Sequence, residues 1–116
     1  MTRPTPIFLD GDPGHDDAIA WMLAQASPLL DIRGVSSVCG NQTIEKTTWN
    51  ARRVMTLLGI QAPLAQGRGA PLVAEPMVAP SIHGDSGLDG PVLPEPVVET
   101  VGLPACELMA KVLTGS

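Results

Sequence analysis

The sequence predicts an α/β fold, a mostly parallel sheet with flanking helices, and three observations predict it. Strand-like apolar runs alternate with helix-like stretches through the first half of the chain in a βαβαβ rhythm. The opening run, Pro6-Ile-Phe-Leu-Asp10, is short and continuously apolar, as in a strand buried on both faces of a parallel sheet. Apolar and small residues then recur at i, i+3, i+4 and i+7 from Ile44 to Leu58, the stripe of an amphipathic helix. Together these describe a Rossmann-like mostly parallel sheet with flanking helices.

Each element follows from its own residues. Pro13-Gly14 breaks the first strand, and Ala18 to Ala26 reads as a helix. Ala18, Ile19, Ala20, Trp21, Met22, Leu23 and Ala24 leave that helix almost no polar face, which predicts a largely buried element. Ser27-Pro28 ends it. Asp31 to Val38 is the second strand, with Ile32, Val35 and Val38 as its apolar content. A turn at Gly40-Asn41 leads into a helix from about Thr43 to Leu58, with Thr43 or Asn41 as its cap and Gly59 at its C′ position. Ala62 to Ala65 is a short third strand. From Gly67 to Pro104 proline and glycine become dense and periodicity disappears, the composition of a functional lid or of a disordered segment. Pro104 opens a last helix that runs through Leu113. Trp21 and Trp49 both fall on helices and read as core.

The chain of 116 residues can form one small α/β domain or part of a larger one, and its 44% hydrophobic content is ordinary for a globular protein. A net charge of −5, with seven scattered Lys and Arg residues, argues against a nucleic-acid surface. The apolar run Ile7-Phe8-Leu9 is stopped by Asp10, so no signal peptide is read, and no stretch reaches membrane-spanning length. The expectation is a cytoplasmic protein with no membrane partner, in which Cys39 and Cys106 are small buried thiols. His15 and His83 are too isolated for a zinc site within one segment.

The segment that carries chemistry is DGDPGHDD. Asp10, Asp12, Asp16 and Asp17 place four carboxylates within eight residues, directly after a buried strand. Crowded carboxylates repel one another, and the repulsion is relieved by protonation or by a hard cation such as Ca²⁺ or Mg²⁺. Strand alternation aims Asp10 and Asp12 to one side, and Pro13-Gly14 brings Asp16 and Asp17 into the first helical turn. An acidic turn that merely caps the helix would need only two of the four. An EF-hand is excluded because His15 stands where its loop needs Gly and Trp21 where it needs Glu; a P-loop is excluded by the lack of a following GKS or GKT. A DxD phosphohydrolase is disfavoured by Pro13-Gly14 and by the early arrival of Asp16-Asp17.

In context, the loop resembles the inosine–uridine-preferring nucleoside hydrolases, whose first strand runs into a DxDPGxDDAxA signature; Asp10 to Ala20 here reads DGDPGHDDAIA. Gly40-Asn41-Gln42-Thr43, Asn50 to Leu58 and Ile82-His-Gly-Asp-Ser-Gly-Leu88 agree in order and spacing, and HGDSGLDGP looks nearest the bacterial pyrimidine-preferring branch. The resemblance implies Ca²⁺-dependent hydrolysis of the N-glycosidic bond of ribonucleosides. It makes Asp12 the catalytic residue, which ligates calcium and takes a proton from water, and Asp17 a bidentate calcium ligand. Asp10 becomes a water-mediated or supporting metal contact, and Asp16 and Asn41 become ribose contacts. His83 would touch the base from a mobile loop over about 71–103, although the residues alone leave an exposed loop histidine equally open. His15 reads as a surface or packing residue. Gly11 replaces the Cys or Thr often found between the first aspartates, in a direction read as away from the metal. Family members are longer, so residues 1–116 correspond to the N-terminal portion of one domain, and further ligands would lie beyond Ser116. A catalytically inactive fragment acting as a structural or oligomerising domain is the alternative, since an open sheet edge favours a homo-oligomer.

Overall fold

The computed structural model describes residues 3–40, 42–69 and 94–115. Its elements follow in the order β1 (Thr5–Gly11), α1 (His15–Ala26), β2 (Leu30–Ser37), α2 (Ile44–Leu58), β3 (Leu64–Gln66) and α3 (Ala105–Gly115). Among the described residues the strands form a parallel sheet in the order β1-β2-β3, so each helix between them is a crossover, as parallel pairing requires. Strand β1 pairs with β2 from Thr5↔Leu30 to Gly11↔Ser37, with a register shift at Ile7/Phe8. Strand β2 pairs with β3 from Val35↔Leu64 to Ser37↔Gln66. Beyond β3, Thr100 bridges Leu64, and the Val101 N–H donates to the Leu64 carbonyl at 2.8 Å.

The core gathers where α2 lies over β2 and β3. Val35, Ala51, Met55 and Leu64 are fully buried, with Trp21, Val54 and Ile60 around them. Burying a side chain the size of Met55 contributes roughly 1.5–3 kcal/mol. The stripe read from the sequence is the buried face of α2, which includes Ile44, Thr47, Thr48, Ala51, Val54 and Met55. Its end is set by Gly59 at φ 69°, a left-handed cap that closes onto the Met55 and Thr56 carbonyls and that a side chain would strain. Thr43 occupies the N-cap position without a capping hydrogen bond from its side chain.

Four expectations are corrected. Helix α1 is apolar on nearly every side from Ala18 to Ala24, yet only Trp21 and Ala24 are buried, while Ile19, Met22 and Leu23 are 56%, 49% and 68% exposed. Contact with β2 and α2 covers one face, and nothing among the described residues lies over the other. Trp49 is not core: it is 41% exposed, with the Arg52 guanidinium stacked 5.3 Å from its ring centroid. The run Ile7-Phe8-Leu9 is half-buried because, among the described residues, β1 is an edge strand. Cys39 is half-buried and Cys106 exposed, both as free thiols.

The stretch that lost its periodicity is also more ordered at its end than composition suggests. Thr56 Oγ1 accepts the Val97 and Val98 N–H groups at 3.0 and 3.4 Å, and the Val98 carbonyl accepts Arg52 Nε at 2.7 Å. Such side-chain anchors leave no apolar period to read. Residues 70–93 of the expected loop, His83 among them, lie outside the described residues.

Candidate active site

The end of β1 and the start of α1 build the acidic loop. Strand β1 stops at Gly11, Gly14 serves as N-cap of α1, and Asp16 and Asp17 fall in its first turn. There the helix dipole favours negative charge. The tight Asp12-Pro13-Gly14 connection folds the helix start back on the strand end, so that the Asp12 N–H donates to Asp17 Oδ2 at 2.9 Å. Asp12 and Asp17 are half-buried, and Asp16 is exposed beside them.

The electrostatics follow from that contact. Burial raises the Asp17 carboxyl above its ordinary value, and hydrogen bonding with the Asp12 carboxyl pushes it further. The charges of Asp12 and Asp16 add to the rise, while the Asp12 N–H pulls the other way. The two carboxyls therefore share a place that a proton, or a divalent cation with all-oxygen preference, would stabilise. Among the described residues no three His, Cys, Asp or Glu side chains converge as a metal-holding group. Asp10 is exposed and engaged elsewhere: the buried Ser36 Oγ donates to its Oδ1 at 2.5 Å. The structure thus brings Asp12 and Asp17 together with Asp16 beside them and turns Asp10 toward β2. Asn41 and His83 lie outside the described residues.

Polar groups not singled out in the sequence hold this loop from behind. Fully buried Asn50 donates from Nδ2 to the Pro13 carbonyl at 3.4 Å, and Arg53 Nη2 donates to Asn50 Oδ1 at 2.8 Å. Ser37 Oγ and Thr48 Oγ1 pair at 2.7 Å between β2 and α2. The Val38 N–H donates to the Gly11 carbonyl at 2.9 Å, which extends the ladder to the foot of the loop. A signal was present: Ser36-Ser37 at the end of a buried strand, and Thr48 and Asn50 on an otherwise apolar helix face, are polar groups that burial must satisfy. An open cavity of about 750 Å³ adjoins Asp10, between the strand ends and the start of α3, with Ser37, Cys39, Gln66, Arg68 and Met109 in its wall. Carboxyl ends of parallel strands are where α/β folds place ligands. The direction read for Gly11 is corrected as well: a Cβ there would stand 2.8 Å from Asp17 Oδ2, toward the carboxylates.

Comparison with known proteins agrees with the parallel α/β fold. Residues 7–116 match the family described as inosine-uridine preferring nucleoside hydrolase. A pyrimidine-specific ribonucleoside hydrolase RihA from Photobacterium profundum is 56% identical over 115 residues, covering 98% of this chain and 36% of the relative. The RihA of an Escherichia coli strain is 54% identical over 112 residues, covering 96% of this chain and 36% of its own length. The chain therefore spans little more than a third of the curated relatives it matches. Among solved structures, a plant nucleoside hydrolase superposes with a TM-score of 0.84 at 26% identity, covering 97% of this chain and 36% of that one. A purine-preferring ribonucleoside hydrolase from Gardnerella vaginalis superposes with a TM-score of 0.86 at 24% identity, covering 95% and 36%, and shares the fold. With its DGDPGHDD loop at the strand ends and a match over nearly its whole length, the chain belongs to the inosine-uridine preferring nucleoside hydrolase family.

Proposed function

We propose that this protein takes part in hydrolysis of the N-glycosidic bond of ribonucleosides, giving ribose and free base, with Ca²⁺ held by Asp12 and Asp17. The observation that carries the reading is the contact between those two carboxylates at the end of β1. The names of the relatives favour a pyrimidine ribonucleoside as substrate. When bound, the cation would lower the pKa of a water and neutralise the paired carboxylates. In this reading Asp12 would take a proton from water as the water oxygen bonds to the anomeric carbon and the bond to the base breaks, the electron pair leaving with the base. Asp16, exposed beside the pair, is an acceptor for a ribose hydroxyl, and Asp10 acts through its contact with Ser36 rather than as a direct ligand. Asn41 and His83 are assigned to the ribose and the base, and the setting is assigned to the cytoplasm.

The test is release of reducing sugar from uridine, cytidine and inosine by purified protein, with calcium and with a chelator. Calcium-dependent release, faster from the pyrimidine nucleosides, is the expected result. Turnover of a phosphate ester in place of a nucleoside would overturn it.

A second reading has its own observation. Ile19, Met22, Leu23 and Leu29 are all exposed, and the outer edge of β1 is unpaired among the described residues. A structural, self-associating chain without turnover would use these surfaces. Sugar release that stays at the blank level with every nucleoside, together with a sedimenting species larger than one chain, is the result that would favour it.

A further inference from the structure

On the β2–α2 connection, Gly40 stands directly against the acidic loop. A Cβ built on Gly40 would lie 2.0 Å from Asp12 Oδ2, 2.8 Å from its Cγ and 3.3 Å from its Cβ, so the three nearest atoms all belong to Asp12. Asp12 thus rests in the recess that the missing side chain leaves. The demand is steric, not conformational: Gly59 is the position among the described residues with a left-handed φ, and Gly40 is not. The connection is also held in place. The Val38 N–H bonds the Gly11 carbonyl at 2.9 Å, and the Gly40 N–H bonds the carbonyl of buried Gln42 at 3.2 Å.

We propose that Gly40 is a positioning residue for Asp12: its bare Cα sets the orientation in which the Asp12 carboxylate meets Asp17. The proposal rests on the reading of Asp12 as the proton-accepting, cation-holding group. Gly67 supplies the contrast. A Cβ at Gly67 would stand 2.1 Å from the Ser37 backbone carbonyl oxygen, so a substitution there must move a strand. At Gly40 the nearest obstacle is the end of a side chain, and a substitution there turns that side chain aside while the backbone stays. Gly40→Ala is thus a selective displacement of one carboxylate.

The experiment compares Gly40→Ala and Gly67→Ala with the unaltered protein by thermal melting, by NMR of the Asp12 and Asp17 side-chain carboxyl carbons without metal, and by calcium titration. Gly40→Ala is expected to melt within a few degrees of the parent, to shift both carboxyl resonances, and to weaken calcium binding about 10–100-fold. Gly67→Ala is expected to lower the melting temperature and to leave the carboxyl resonances near their parent positions while folded. Parent-like carboxyl resonances in Gly40→Ala, or parent-like calcium affinity in a parent that binds calcium, would overturn the proposal. A parent that binds no calcium, with Gly40→Ala still moving the Asp12 signal, keeps the role of Gly40 and sinks the metal reading instead. Should Gly40→Ala lose its fold, the pair Asp12→Ala and Asp12→Ala/Gly40→Ala decides. Removing the carboxylate relieves the clash, so the Gly40→Ala cost must shrink in that background, and an undiminished cost rejects the proposal.

Discussion

Helices α1 and α2 both pack on β2, yet they use their apolar residues in opposite ways. Helix α2 alternates faces: one side buries Ile44, Ala51, Val54 and Met55, and the other carries Glu45, Lys46 and Arg52. Helix α1 is richer in apolar residues but buries only Trp21 and Ala24, three residues apart. Apolar content is thus a poor guide to burial, whereas apolar periodicity is a good one, because a helix presents a single stripe to the layer beneath it. The stability of the described fold lies with α2, β2 and β3. Helix α1, anchored through Trp21, delivers Asp16 and Asp17 to the site and leaves an apolar face outward.

The largest expected effect that would break this division comes from the core. Met55→Ala should cost about 2–5 kcal/mol, read as a lower denaturant midpoint, because Met55 is fully buried on the inner face of α2. A loss no larger than that of an exposed substitution would show that the core lies elsewhere. An intermediate effect is expected at the acidic loop, where Asp17 holds its proton more tightly in the folded chain than in the unfolded one. The sign follows by linkage. The stabilisation that this raised carboxyl contributes is fully present below the ordinary Asp range and is lost as pH rises through the higher folded value. Asp17→Asn removes that loss, so melting temperatures of metal-free protein should fall less between acid and neutral pH than in the parent. Parallel pH profiles would show that the strain at the loop is not carried by Asp17. The smallest effect on stability is expected from Leu23→Ser on the outer face of α1, within about 0.5 kcal/mol. If that face mediates self-association, the same change should shift sedimentation toward the single chain; an unchanged distribution would assign association to another surface.

Much of this was legible in the chain. Helix α2 spans the residues its stripe marks out, Gly59 closes it, and DGDPGHDD falls at the strand-to-helix junction. These features are local, set by period, by a left-handed cap and by a Pro-Gly break. What escaped is relational. Ser36 against Asp10, Asn50 against Pro13 and Gly40 against Asp12 join residues 26 to 37 positions apart. No local pattern encodes which buried polar group meets which partner, since the pairing is set by the register of β1 on β2. The same holds for Trp49, whose helical position suggested core but whose direction on α2 puts it beside Arg52 at the surface.

By itself the sequence determined the element types, the parallel α/β class and the identity of the acidic loop, because each depends on neighbours within a few residues. The tertiary structure alone decided which carboxylates meet. Asp12 and Asp17 share a hydrogen bond because the Asp12-Pro13-Gly14 connection folds the helix start back on the strand end, while Asp10 turns to Ser36 on the neighbouring strand. It also decided which apolar surface stays uncovered, since burial depends on what else is packed nearby and not on the side chain alone.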